Sequence, residues 1–391
     1  MDFELTEEQR MVQQTVRAFV EKEVKPVASQ LDREGVYAAE LVNKLAEIGL
    51  LGMFVPTEFG GSGMDYVCYI LAMEEVAKSW ASLGALVTVN NSLTCEPILR
   101  FGTEAQKRKY LPRLASGEFL GCYALTEPGA GSDAGSIQTR ALPDGASFVL
   151  NGNKIFVTNG KHAKVAIVYA VTAPEQGKKG ISAFLVEKDT PGFSVGKIED
   201  KLGLRGSDTA ELIFEDCRVP RENLLGRENE GFKIALATLD GGRIGIAAQA
   251  VGIAQGCLEE AIAHAKERRQ FGRPIADFQA IQWMLADMAT EIEAARLLTQ
   301  RAAWLRQENK KVTRAAAMAK LFASETANRA AYKALQIFGG YGYIKDFPVE
   351  RFFRDARITT LYEGTSEIQR LVIARELLRE EGADGPHAED F

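Results

Sequence analysis

Residue texture changes twice along this chain, near Gly121 and again after Asn229, and those changes limit the folds open to it. Up to about residue 119, apolar residues recur at helical spacing. Val12, Val16, Phe19 and Val20 share one helical face behind Thr6 and Gln9, which have capping-box spacing. Leu41, Leu45 and Ile48 repeat the pattern with Gly49 as a stop, and Thr103 and Gln106 cap another short helix. Between them, Pro56 to Asp65 is a glycine-rich loop. From Gly121 to about Gly226 the chain is rich in Gly, Thr, Val and Asn, and alternation replaces helical spacing. VAIVYAV, ISAFLVE and AELIFEDCRV read as strands, and Asn151-Gly152 between SFVL and KIFV reads as a hairpin turn. Helical texture then returns. Ile275 to Asn309 and Val312 to Phe338 are rich in Ala, Leu, Glu, Gln and Arg with few breakers, which suggests a bundle. At 391 residues the chain is too long for one compact core. The expectation is an α+β multidomain protein: a helical domain over 1–119, a strand domain over 120–226 and a helical domain over 227–391. From about Glu381 the polar, Gly- and Pro-containing end reads as a frayed tail.

Composition excludes several function classes. A net charge of −6 lacks the clustered Lys and Arg that nucleic-acid phosphates require. The mildly apolar Ile244 to Leu258 stretch is too short to span a bilayer and carries Gln249 and Gln255. Cys68, Cys95, Cys122, Cys217 and Cys257 are odd in number and widely spaced, as expected of free thiols in a reducing compartment. With only His162, His264 and His387 and no metal-ligand spacing, no metal site is expected. MDFELTEEQR shows no secretory pattern, so a cytoplasmic setting, or the mitochondrial matrix for a mature eukaryotic form, is expected.

Five motifs could carry chemistry. In Tyr123 to Asp133, YALTEPGAGSD, a glycine-rich turn with Thr126, Ser132 and free N–H groups can approach a flat or phosphorylated cofactor. Taken alone, it reads as a Gly/Pro turn between strands, and no βαβ unit supports a Rossmann assignment. Gly339 to Tyr343, GGYGY, ends a long helix. In Tyr362 to Gln369, YEGTSEIQ, Ser366 and Gln369 have capping-box spacing, so a helix should start there with N–H groups that favour negative charge. Glu363 precedes that start and a glycine follows it. In an apolar cleft its raised pKa would suit proton abstraction at carbon; on the surface it would be an ordinary solvated carboxylate. Asp240 and Arg243 share a helical face, as an ion pair of the helix or as ligands. In ERRQFGRP, Arg268 could grip a phosphate and Phe271 could cover a ring; the alternative is a charged turn.

Collinear along nearly the whole chain, the stretches VPTEFGGSG, LTEPGAGSD, FVTNG, DGGRIGIAAQ, ERRQFGRP, QIFGGYGY and LYEGTSEIQR resemble the acyl-CoA dehydrogenase family. The resemblance implies an N-terminal helical domain, a central β-barrel and a C-terminal four-helix bundle. It also implies FAD in the cleft between them and a dimer-of-dimers homotetramer. By resemblance, Tyr123, Leu125, Thr126, Gly131 and Ser132 line the flavin, with Phe156, Val157 and Thr158. Arg268, Gln270, Phe271 and Gln279 would reach FAD from a neighbouring subunit. Gln336, Ile337, Phe338, Gly339, Gly340, Thr365, Ser366 and Glu367 would complete the cofactor site. Ser132, Asp240, Arg243 and Gly364 would touch the acyl-CoA. Phe156 stands where many relatives carry Trp, which keeps an aromatic face.

The position of the base discriminates within the family. Glu363 lies in the YEGT segment, as in most members. The isovaleryl and long-chain branches place a Glu just before the helix arginine, where this chain has Gly242; members acting on nitroalkanes use Asp. The implied reaction is α,β-dehydrogenation of an acyl-CoA to a trans-2-enoyl-CoA in fatty acid β-oxidation, with an electron-transferring flavoprotein as reoxidant. Gln249 and Thr359 match residues that close the acyl pocket in the short-chain branch, pointing to four to six carbons. The alternative for Gln249 is a plain hydrogen bond to a neighbouring helix. Leu83 to Asn91 lacks the arginine that the glutaryl branch offers to a distal carboxylate. The rival functions are an acyl-CoA oxidase, whose chain is usually much longer, and a non-catalytic acyl-CoA or flavin binder. Pathway, exact acyl group and electron acceptor are not legible in these residues.

Overall fold

The computed structural model describes residues 4–380, so the expected tail from Glu381 lies outside the described residues. Seven helices come first: α1 (Glu7–Phe19), α2 (Lys25–Glu34), α3 (Ala39–Glu47), α4 (Tyr66–Ser79), α5 (Ala81–Thr88), α6 (Glu96–Phe101) and α7 (Glu104–Ala115). The Thr6–Gln9 and Thr103–Gln106 capping boxes both form, each satisfying otherwise unpaired N–H groups in the first turn. Val12, Val16, Leu41 and Leu45 are buried as the spacing predicts, and Gly49 takes the left-handed conformation. Ile48 departs from the pattern. It lies beyond the end of α3 and stays on the surface.

The middle of the chain forms one mostly antiparallel sheet. Its strands are β1 (Gly121–Ala124), β2 (Arg140–Asp144), β3 (Ser147–Thr158), β4 (Val165–Val171), β5 (Ile181–Glu187), β6 (Phe193–Ile198), β7 (Thr209–Pro220) and β8 (Leu224–Leu225). The order is β6-β7-β3-β2-β4-β5-β8, with β1 parallel to β4. The two ends of this path, β6 and β8, are not paired among the described residues, so hydrogen bonds do not close the sheet into a ring.

The expected hairpin turn at Asn151-Gly152 is not there. β3 runs straight through it, with a bulge against β7 between Leu150 and Gly152. The turn comes earlier, at Gly145-Ala146, where Asp144 pairs with Ser147. Glycine at the first of two loop residues competes with Asn-Gly as hairpin chemistry. Gly152 serves close approach instead: a Cβ there would stand 2.6 Å from Thr139 Oγ1.

Helix α8 (Gly231–Glu267) then runs 37 residues, about 55 Å at 1.5 Å per residue. The two-residue strands β9 (Arg269–Gln270) and β10 (Arg273–Pro274) make a small hairpin, followed by α9 (Gln279–Gln307), α10 (Thr313–Phe338), α11 (Val349–Ile358) and α12 (Ser366–Glu380). The helix expected from Ile275 starts at Gln279, because Ile275–Asp277 form a 3-10 turn behind Pro274. Helices α8, α9, α10 and α12 are the long ones, and the ten-residue α11 packs on α8 and α10.

Small residues let these helices approach closely. A Cβ on Gly252 would lie 2.4 Å from the Glu74 carbonyl of α4, and one on Gly256 2.6 Å from that of Lys78. One apolar core takes Leu45 and Met73 from the first helices and Ile244, Met288 and Ala316 from the last. The two helical regions therefore pack into a shared interior, and α8 passes through it.

Candidate active site at the α8, α10 and α12 junction

Glu363 sits in the short link between α11 and α12, at the left-handed φ of +52°, and Gly364 follows at +91°. Such angles strain a glutamate and hold only where neighbours over-determine them. Those neighbours are identifiable. The Gln369 side chain donates to the carbonyls of Glu363 (3.2 Å) and Gly364 (2.9 Å), and Lys320 Nζ donates to the Gly364 carbonyl at 2.8 Å. The capping differs from the sequence expectation by one residue. Thr365 Oγ1 accepts from Ile368 N, while Ser366 opens α12 with its hydroxyl buried and unpaired. Gln369 is spent on the loop carbonyls rather than on a capping box.

The Glu363 carboxyl points at bare backbone. A Cβ built on Gly242 would lie 2.1 Å from Glu363 Oε2 and 2.7 Å from Leu93 Cδ2. The residue as a whole is half-buried, but Oε2 is sealed and has no hydrogen-bond partner. Burial pushes its pKa up to about 7, against the pull of Lys320 and Arg243. A carboxylate that is dry, unpartnered and poised near neutrality is a competent general base.

Nearby, Asp240 and Arg243 lie buried on α8, with Nη1 and Oδ1 2.9 Å apart and Asp240 Oδ2 accepting from Thr313 at 2.7 Å. Arg243 Nε is buried without a partner. Gln249, two turns further along α8, is fully buried; its amide donates to the Ala81 carbonyl at 2.8 Å and accepts from Tyr362 Oη at 2.5 Å. The bond to a neighbouring helix is therefore formed, and the same side chain also reaches the residue beside Glu363. Thr359 is buried too and bonds the Ala356 carbonyl at 2.7 Å.

The residues expected to meet the cofactor lie in three places, one of them Thr365 to Glu367 at the head of α12 beside Glu363. Tyr123 lies on β1 and Leu125, Thr126, Gly131 and Ser132 follow it, and the Thr126 carbonyl accepts from Ile155 N, which ties them to Phe156, Val157 and Thr158 on β3. Phe156 has φ +57° and is 61% exposed, leaving a ring face uncovered, whereas the side chains of Val157 and Leu125 are buried in cores. Nothing lies within 4 Å of a Cβ built on Gly131. Elsewhere, Arg268, Gln270, Ile337, Phe338, Gly339 and Gly340 line a cavity of about 510 Å³ together with His264 and Tyr341. Arg268 stands over the Tyr341 ring at 5.2 Å, and Phe271, at φ +50°, is 93% exposed at the hairpin tip. Gln279 and Gln336 are exposed, as is Glu367 at the start of α12. Open space at glycines, uncovered aromatic faces and an arginine at a cavity mouth suit a long molecule with flat rings and phosphates.

The sequence reading missed Lys320, gave Gln369 a capping role and gave Tyr362 none. One signal for Lys320 was legible: it interrupts an otherwise alanine face, Ala316, Lys320, Ala323, Ala327, at core spacing.

This fold and site are those of a family, and comparison with known proteins identifies it. The chain matches the N-terminal (residues 6–118), middle (122–217) and C-terminal (229–378) domains of the acyl-CoA dehydrogenases. It belongs to the acyl-CoA dehydrogenase family and is an oxidoreductase whose cofactor is FAD. It is 54% identical to the mouse mitochondrial short-chain specific acyl-CoA dehydrogenase over 96% of this chain and 91% of that one. It is 52% identical to acryloyl-CoA reductase (NADH) of Anaerotignum propionicum over 97% and 96%. Butyryl-CoA dehydrogenase of Megasphaera elsdenii superposes with a TM-score of 0.96 at 48% identity, covering 97% of this chain and all of that one. A chain solved under the description electron transferring flavoprotein of Acidaminococcus fermentans matches with TM-score 0.96 at 53% identity, over 97% and 100%. A glutaryl-CoA dehydrogenase from Mycobacterium smegmatis, solved in complex with FADH2, matches at 34% identity with TM-score 0.91, over 95% of each chain.

Proposed function

We propose that this enzyme oxidises a short straight-chain acyl-CoA, of four to six carbons, to the trans-2-enoyl-CoA, with Glu363 as the base. The observation that carries this reading is the sealed, unpartnered Oε2 of Glu363, poised near neutrality against the bare backbone of Gly242. Glu363 removes the α-proton. No acceptor among the described residues takes its backbone N–H, which is left to polarise the thioester carbonyl and stabilise the developing enolate. Asp240 and Arg243 orient the substrate. Tyr123 to Ser132 and Phe156 to Thr158 line FAD, Arg268, Gln270, Phe271 and Gln279 of a neighbouring subunit reach it, and Gln336 to Gly340 and Thr365 to Glu367 complete its site. When bound, FAD supplies the acceptor for the β-hydride.

Chain length follows from the fully buried Gln249, whose amide is already paired at both ends. An acyl chain reaching past it would strip a buried amide of its partners, at a cost of roughly 1–3 kcal/mol. A distal carboxylate is disfavoured because Leu83 to Asn91 offers no basic residue, and a buried unpaired charge is costly. Electrons then pass to an electron-transferring flavoprotein, a reading supported by the A. fermentans relative, and the working form is a homotetramer in the cytoplasm or mitochondrial matrix. Anaerobic butyryl-CoA should bleach the bound flavin, and turnover should consume no oxygen. Failure to bleach points to a binding protein; oxygen uptake points to an oxidase.

The reductase relative favours one further reading, the same chemistry run towards the saturated acyl-CoA. By microscopic reversibility Glu363 would return the proton to Cα. Oxidation of NADH on mixing the purified enzyme and an electron-transferring flavoprotein with acryloyl-CoA supports that direction; none, with an electron-transferring flavoprotein that NADH reduces, excludes it.

A further inference from the structure

We propose that Lys320 is a positioning residue for the base: from about two turns into α10 its ammonium pins the Gly364 carbonyl and sets a positive charge beneath the Glu363 carboxylate. The assignment rests on Glu363 being the base.

Lysines are almost never fully buried unless paired. This chain has two of the kind, and they differ. Lys154 lies in the sheet with the Glu127 carboxylate 2.7 Å away, an ordinary buried ion pair. Lys320 has no carboxylate within 4 Å among the described residues; its bond is to a carbonyl, at 2.8 Å. That carbonyl belongs to the residue next to the base. A buried ammonium answered by a neutral acceptor alone is costly, so its retention on an alanine-lined face points to what it does for the loop.

It does two things. With Gln369, it grips a link whose two residues both have positive φ, and so holds Glu363 in a conformation that a free glutamate leaves. It also acts on charge. Oε2 accepts no hydrogen bond, so only the surrounding field opposes the burial that favours the protonated acid. The groups facing Glu363 are Lys320 from α10, Arg243 from α8, Tyr69 from α4, Tyr123 from β1 and Tyr362 beside the base, and Lys320 in turn faces Glu325 from α10 and Glu367 from α12. The cations among them are Lys320 and Arg243, and Lys320 pulls harder on the carboxyl. Reciprocally, Glu363 is the largest influence opposing the burial that lowers Lys320 to about 8.

The test is Lys320→Met, matched in length but uncharged, assayed on the FAD-loaded enzyme. The acid limb of kcat/KM should move up by about one pH unit, the low end of what a close opposite charge does. Activity below that limb should fall roughly tenfold, with flavin content unchanged. Infrared titration of the carboxyl band that vanishes in Glu363→Gln should move in the same direction, independently of turnover. Where Lys320→Met does not fold, Lys320→Gln, which keeps a donor without the charge, must show the same shift. An unmoved limb and band, with Glu363→Gln inactive, overturn the role of Lys320 alone. Near-normal turnover in Glu363→Gln overturns the base itself.

Discussion

Glu363 owes its reactivity to what surrounds it. A surface glutamate is ionised well below neutrality, but this one is pushed up to about 7 by burial. Proton abstraction needs the carboxylate, so kcat/KM should rise with pH through about 7 and fall as the pH drops below it; a profile flat from pH 5 to 8 contradicts this. Glu363→Gln keeps the shape and removes the basicity. It should retain FAD and lose roughly 10²–10⁴ in kcat, measured by anaerobic flavin reduction with butyryl-CoA. Gly242 matters as much, because any Cβ there meets the carboxyl at 2.1 Å. Gly242→Ala should therefore bind FAD normally but reduce it slowly, through a displaced base. Wild-type rates would show that the loop can give way.

At the scale of elements, Gln249 and the Glu363 loop are one hydrogen-bonded unit. Tyr362 Oη donates to Gln249 on α8, whose amide donates to the start of α5. Removing the hydroxyl in Tyr362→Phe leaves a buried amide oxygen unpaired, which costs about 1–3 kcal/mol and should lower the melting temperature. Gln249→Ala should shift the kcat/KM ratio from butyryl- towards octanoyl-CoA by opening the floor. A wild-type enzyme that prefers octanoyl-CoA, or a Gln249→Ala enzyme with an unchanged ratio, removes Gln249 from chain-length selection. The helices themselves were readable from periodicity and caps, because both are local. Their ends were less so. Gly145-Ala146 and Asn151-Gly152 both carry hairpin-turn chemistry, and only pairing with β7 decided between them.

For the whole molecule, the proposed cofactor residues fall into three sets on one chain: those by β1 and β3, those around the cavity at the ends of α8 and α10, and Thr365 to Glu367 at the head of α12. On the proposed reading, each flavin site is completed by a second copy, so assembly and cofactor retention should fail together. Arg268→Ala removes a guanidinium from the cavity mouth, and lost charge-assisted hydrogen bonds cost about 1.5–3 kcal/mol. Flavin per subunit should fall, with any loss of tetramer following it, measured by absorbance and light scattering. Unchanged stoichiometry and mass would make Arg268 a surface charge.

By itself the sequence determined the succession of helical, sheet and helical regions and the Thr6–Gln9 and Thr103–Gln106 capping boxes, and it singled out Glu363 in YEGT as the candidate base, since each is written in neighbouring residues. The tertiary structure decided what depends on residues far apart. It brought Gly242 against Glu363 across 121 positions of chain, set Lys320 beneath the loop, and joined Tyr362 to Gln249. Spacing along the chain shows that a lysine breaks an alanine face. Which carbonyl that lysine meets, and how dry its surroundings are, depends on how closely the small residues of α8 and α10 let those helices pack.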